Sequence, residues 1–183
     1  MYEIEVKSRL RDRNAVIEKL ESLGCKFSEE LHQVDHIFIP EGTAFPTPFE
    51  VPVLRVREEN NRFILTLKIS QGSRQDSLER ELEISDGAKM IEILGLIGYK
   101  ESISVDKKRI KTNYKDIEIV LDDVKGLGEF IEAEKIVAVE SQEDRKKIQE
   151  ELLDLLETLG IHREDHIVDG KYDIMLYEKL NNK

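Results

Sequence analysis

The chain opens on a strict alternation in which Tyr2, Ile4 and Val6 interleave with Glu3, Glu5, Lys7 and Arg9. A period of two puts successive side chains on opposite faces of a β-strand, so this stretch predicts a strand with one apolar face and one wholly ionisable face. A half-buried strand ordinarily turns its polar residues to water. Here acids come first and bases follow, an order suited to a cation at one end and an anion at the other. The device recurs along the chain. Arg55 and Arg57 share a face of 53–58, and Arg62, Thr66 and Lys68 share a face of 62–69. Glu79, Glu81 and Glu83 align in 78–84, Lys107, Arg109 and Lys111 in 102–111, Glu118 and Asp122 in 116–124, and Glu132 and Glu134 in 129–139. With a further strand at 33–39, eight strands are predicted.

Helices are predicted over 12–23, 86–98, 142–159 and 172–180, from apolar residues three and four apart. The segment 40–52 holds all four prolines and reads as a loop and a candidate lid. Gln71 to Ser77 reads as a polar loop, and Asn60-Asn61 and Gly126-Leu127-Gly128 as turns. Three times a strand bearing Glu-x-Glu (Glu3/Glu5, Glu81/Glu83, Glu132/Glu134) leads into a helix that stops at a glycine (Gly24, Gly98, Gly160).

The long helices must bury their apolar stripes, and the apolar faces of the strands are the surface available to them. The charged faces are thereby turned to the other side, toward solvent or into the lumen of a closed barrel. The expected fold is α+β, an eight-stranded antiparallel closed β-barrel with helices packed outside, as one domain over 1–183. A lumen lined by so many charges must be wet or filled by a ligand.

Charged residues make up 37% of the chain and the formal net charge is −11, which argues against nonspecific binding to nucleic acid. It leaves room for a small anion at a local cluster of bases. The single cysteine, Cys25, gives no disulfide framework and is expected to be packed. No run of ~18 apolar residues is present, so no membrane span is expected, and with the strand beginning at once a cytoplasmic protein is. His32/His36 and His162/His166 have a spacing that suggests zinc. They fall at a strand start and in a loop, so metal is not expected there.

Carboxylates favour Mg²⁺ or Mn²⁺. Arg and Lys from several strands suit an anion with many oxygens, of which a triphosphate is the obvious case. The two together are the general equipment of phosphoryl or nucleotidyl transfer.

The ordered set of motifs resembles a known superfamily. Glu3-x-Glu5-x-Lys7 resembles the ExExK signature of the CYTH, or triphosphate tunnel metalloenzyme, superfamily. Leu54-Arg55-Val56-Arg57, Leu67-Lys68, Arg80-Glu81-x-Glu83 and Lys107-x-Arg109 look like its successive strand motifs. Asp122 through Glu134, with Gly126-Leu127-Gly128, is similar to a run of its class IV adenylyl cyclase branch. Lys171 through Leu176 looks like its C-terminal helix, with Lys171 in place of Ser.

The resemblance implies the closed barrel and a divalent metal. It implies that Glu3, Glu5, Asp122, Glu132 and Glu134 hold metal, and that Lys7, Arg55, Arg57, Lys68, Lys107 and Arg109 hold phosphates. Glu81 and Glu83 are open between a site role and service as ion partners that steady the bases. The implied activity is conversion of ATP to cyclic AMP and pyrophosphate. The alternatives are hydrolysis of a thiamine, inorganic or nucleoside triphosphate, and binding of a nucleotide or polyphosphate without turnover. Analogy with the family adds a homodimer. The residue that activates the nucleophile is not identified.

Overall fold

The structure, a computed structural model, describes residues 2–73, 76–138, 142–168 and 170–181. Eight strands form one sheet: β1 (Tyr2–Arg9), β2 (Leu31–Pro40), β3 (Val53–Glu59), β4 (Arg62–Ser73), β5 (Asp76–Ile84), β6 (Tyr99–Tyr114), β7 (Ile117–Val124) and β8 (Gly128–Val137). Four α-helices accompany them: α1 (Arg13–Ser22), α2 (Gly87–Leu96), α3 (Gln142–Thr158) and α4 (Tyr172–Asn181). The strand order is β1-β8-β7-β6-β2-β3-β4-β5, and the β1·β8, β2·β3, β3·β4 and β4·β5 pairs are antiparallel. The α+β class and the eight strands are as expected; the closed barrel is not. The sheet is open, with β1 and β5 at its two ends. Along β5 the carboxylates Glu79, Glu81 and Glu83 are tied to Lys68, Arg55 and Arg62. A row of charge on an edge strand resists the approach of another strand.

A second correction concerns Gln71 to Ser77. β4 continues to Ser73 and β5 starts at Asp76, with a shift of register between Ser70 and Ser73. Residues 74–75 lie outside the described set. The stretch is polar on both faces, so it has no apolar alternation to read, yet a backbone ladder needs none. Asn60 and Asn61, with φ of 46° and 65°, make the tight turn between β3 and β4.

Two compact units make up the chain, each from three stretches: residues 1–30, 109–123 and 128–168, and residues 31–108, 124–127 and 169–183. In the first unit, Ile4 and Val6 of β1, Ile119 and Leu121 of β7, and Ile131 and Ala133 of β8 meet Val16 and Leu20 of α1 and Leu152 and Leu156 of α3. Both helices stop where the sequence places a glycine. Gly24 (φ +86°) and Gly160 (φ +93°) adopt the left-handed conformation, and the next N–H groups, of Cys25 and Ile161, donate back to Leu20 O and Leu156 O at 3.1 and 3.0 Å. Cys25 and Ile161 thereby enter the core, which is the packed role expected for the cysteine.

In the second unit, Phe38, Val56 and Leu94 form the core, with Leu54, Leu65, Ile84, Met90, Ile91 and Tyr99 against it. Asp12 and Asp86 cap α1 and α2, accepting from the N–H groups of Ala15 and Lys89 at 3.0 and 2.9 Å. Among the described residues no helix is long and apolar enough to cross a membrane.

Leu156 is 1% exposed at the centre of the first core. Its replacement by alanine is expected to cost about 2–5 kcal/mol, read as a lower urea midpoint with an unchanged slope.

Candidate functional site

Packing of the apolar strand faces onto α1 and α3 leaves the ionisable face of β1 on the other side of the first unit, where β8 faces it rung by rung. Glu5 lies opposite Glu134, Lys7 opposite Glu132, and Arg9 opposite Phe130. Alternation fixes these partners: a slip of one residue would turn every charge into the core. The middle rung is an ion pair, Lys7 Nζ to Glu132 Oε1 at 3.0 Å, with both side chains 8% exposed. Burial works to lower the Lys7 ammonium, but Glu132 and Glu5 outweigh it and hold the group above its ordinary value. Arg109 of β6 reaches the same carboxylate, Nη2 to Glu132 Oε2 at 3.0 Å, and grips Asp122 of β7 through Nε at 2.7 Å and through Nη2. Lys111 pairs with Glu118 at 2.8 Å.

Of the expected metal donors, this unit gathers Glu5, Asp122, Glu132 and Glu134 on one face. The side chain of Glu3 lies outside the described set, though its backbone pairs with Ile136. Glu5 and Glu134 form a rung of like charge, which is unfavourable in a ladder unless a cation lies near. Lys7 Nζ stands 3.8 Å from Glu5. Among the described residues no three His, Cys, Asp or Glu side chains converge as a ligand set. In donor chemistry these carboxylates would suit Mg²⁺ or Mn²⁺.

The second unit carries Arg55, Arg57, Lys68 and Lys107. Arg55 and Arg57, two apart on β3, share the face of Gln33 and Asp35 on β2 and of Thr66 on β4. Arg57 lies directly opposite Asp35 and donates to both its oxygens, from Nε at 2.6 Å and Nη2 at 2.8 Å. Lys107 Nζ of β6 is 3.8 Å from the same carboxylate and 5.3 Å from the centre of the Tyr172 ring. Burial works to raise the Asp35 carboxyl, but its bonds from Arg57 and the charge of Lys107 prevail and hold it well below the usual carboxylate range.

Arg55 is placed differently. Its Nη2 donates to Thr66 Oγ1 at 3.0 Å and lies 3.4 Å from Glu81, while its buried Nε has no hydrogen-bond partner among the described residues. Burial and then neighbouring Arg57 pull this guanidinium below its ordinary value. Lys68 pairs with Glu79 at 2.6 Å. Glu81 therefore meets Arg55 and Thr66, whereas Glu83 meets Arg62 diagonally across the β4·β5 pair, both side chains being more than half exposed.

Sequence reasoning missed Asp35. The signal was present, since Gln33 and Asp35 alternate with Val34 and His36, but a single acid among apolar neighbours gave no pattern to match. Three of the four histidines have polar partners. His32 and His36 meet Asp106 and Glu101, and His166 Nδ1 lies 2.9 Å from Lys7 O beside an isolated bridge to Ser8.

A family model described as the CYTH domain matches residues 1–170. A Methanocaldococcus jannaschii protein named "Putative adenylate cyclase" is 34% identical over 177 residues, covering 94% of this chain and 97% of its own. The PH1819 protein of Pyrococcus horikoshii superposes with a TM-score of 0.79 at 29% identity, over 97% of this chain and 99% of its own. The Hippeastrum protein HpAC1, titled a "putative adenylyl cyclase" with a dominant triphosphatase activity, shares the fold, with a TM-score of 0.65 at 18% identity over 97% and 95% of the two chains.

Proposed function

This chain belongs to the CYTH domain family, and from that premise we propose that it is a metal-dependent enzyme acting on a small triphosphate, converting ATP to cyclic AMP and pyrophosphate. The observation that carries this reading is the arginine pair. Arg55 and Arg57 are set side by side in a largely buried face with Lys107, and the Nε of Arg55 waits for an acceptor. A buried donor without a partner costs roughly 1–3 kcal/mol, which a bound phosphate oxygen would recover. A phosphate chain supplies such oxygens in number, and Arg binds them in pairs.

In the proposed reaction the 3′-oxygen of ATP attacks the α-phosphorus, the bond from that phosphorus to the bridging oxygen breaks, and pyrophosphate leaves. Arg55, Arg57, Lys68 and Lys107 hold phosphate oxygens and balance the charge that grows on the departing pyrophosphate. Lys7 and Arg109, the bases of the acidic face, are assigned to phosphate as well. Glu5 and Glu134, with Glu3 and Glu132, are the proposed holders of Mg²⁺ or Mn²⁺. Asp122 serves that set by fixing Arg109. The bound metal would acidify the attacking hydroxyl and neutralise phosphate charge.

A second reading, hydrolysis of a triphosphate to orthophosphate, is favoured by one observation: the fold is shared with HpAC1, whose title gives it a dominant triphosphatase activity. The test is incubation with Mg²⁺ or Mn²⁺ and a panel of ATP, thiamine triphosphate and inorganic triphosphate, with products identified by mass. Cyclic AMP with pyrophosphate supports the cyclase, and orthophosphate the hydrolase. Binding without product overturns both. Arg57→Ala is expected to raise KM about a hundredfold with a smaller change in kcat. An unchanged KM would remove Arg57 from the substrate site.

A further inference from the structure

We infer that Asp35 is a positioning residue that sets Arg57 for phosphate; the inference rests on the proposed reading of the arginine face as a phosphate site. Three features of the structure bear on it. Asp35 and Arg57 are direct partners across the β2·β3 ladder, so strand register alone brings them together. The contact uses both carboxylate oxygens and the Nε and Nη2 donors of the guanidinium, a planar two-point hold that fixes the orientation of the group as well as its distance. Both side chains are largely removed from water, 13% exposed for Arg57 and 8% for Asp35.

The neighbouring arginine shows what that hold adds. Among the described residues Arg55 has only Thr66 Oγ1 and a half-exposed Glu81 at 3.4 Å. The two guanidiniums carry like charge across a single intervening residue and repel one another. A long, flexible side chain under that repulsion would turn away from its neighbour. Asp35 opposes the turn by holding one edge of Arg57, so that an oxyanion taken by Arg57 meets the opposite edge. The same carboxylate stands 3.8 Å from Lys107 and draws a second cation into place. A negative charge set among bases therefore serves anion binding through geometry and against its own electrostatics.

That opposition gives a test by sign. An acid that merely sits near an anion site weakens binding, so its removal tightens binding. An acid that positions a base strengthens binding, and only while that base is present. Inorganic tripolyphosphate is titrated calorimetrically, with EDTA, into the wild-type chain, Asp35→Asn, Arg57→Ala and the double variant. Asparagine keeps the size of the side chain and one acceptor, and thermal melts confirm that each variant is folded.

Asp35→Asn is expected to weaken tripolyphosphate about tenfold when Arg57 is present. In the Arg57→Ala background the same change is expected to leave binding unchanged or tighter. Equal or tighter binding by Asp35→Asn alone would overturn the assignment, as would an equal loss in both backgrounds, which would mark an effect through the fold. Failure of the wild-type chain to bind tripolyphosphate would instead overturn the phosphate reading itself.

Discussion

Replacing Glu5 by alanine is expected to lower turnover by about a thousandfold while leaving the metal-free protein as stable as before, or slightly more so. The two halves of this result have one cause. Glu5 stands opposite Glu134 on a β1·β8 rung, an arrangement that costs stability and is repaid when a cation lies between like charges. Removing one acid relieves the repulsion and removes one of the proposed metal-holding carboxylates. The small counter-effect is loss of the contact with Lys7 at 3.8 Å, but Lys7 keeps Glu132 at 3.0 Å. Product formation as a function of Mn²⁺, Mn²⁺ binding by electron paramagnetic resonance, and urea unfolding in EDTA measure the three quantities. A variant that binds Mn²⁺ like the wild type would take Glu5 out of the metal site. A large loss of stability in EDTA would show that Glu5 supports the fold.

Asp122→Ala is expected to behave in the opposite way, costing about 3 kcal/mol of stability in the absence of any metal. Asp122 is fully removed from water and takes the Arg109 guanidinium on both of its oxygens. Deleting the acid takes from Arg109, 11% exposed, its two-point partner, and Glu132, which it meets at 3.0 Å, is already shared with Lys7. Asp122→Asn keeps one acceptor and is expected to cost less. Denaturant midpoints in EDTA measure this directly. A midpoint unmoved by Asp122→Ala would show that the carboxylate is dispensable for folding and restore it as a candidate metal donor.

The fold was legible wherever apolar and charged residues alternated cleanly. β1, β3, β7 and β8 carry their faces in the order of their residues, and α1, α2 and α3 follow with a left-handed glycine just beyond each. It was not legible where both faces are polar, as at the continuation of β4 toward β5. Closure of the sheet was not legible either. Alternation tells which side of a strand is buried, and it is silent on whether the end strands pair.

In the site, most of the bases and acids came through as sets because they sit two residues from another of their kind, as in Glu3/Glu5, Lys7/Arg9, Arg55/Arg57, Lys107/Arg109 and Glu132/Glu134; Lys68 and Asp122 do not. Asp35 stands alone in its strand, and its meaning lies in Arg57, 22 residues away. Asp122 illustrates the converse. The sequence shows an acid at a motif position, while its partner Arg109 comes from another strand, and a buried acid gripped by an arginine does different work from one facing solvent.

The first strand of the chain is hydrogen-bonded to the eighth, and Glu5 has its counterpart in Glu134. On a translating ribosome the amino-terminal segment emerges long before its mate exists. The acidic rung is thus completed only after most of the polypeptide has been made, and a fragment interrupted before β8 holds half of it at most. Partial products of synthesis are in this way kept from completing the proposed cation site ahead of the finished molecule.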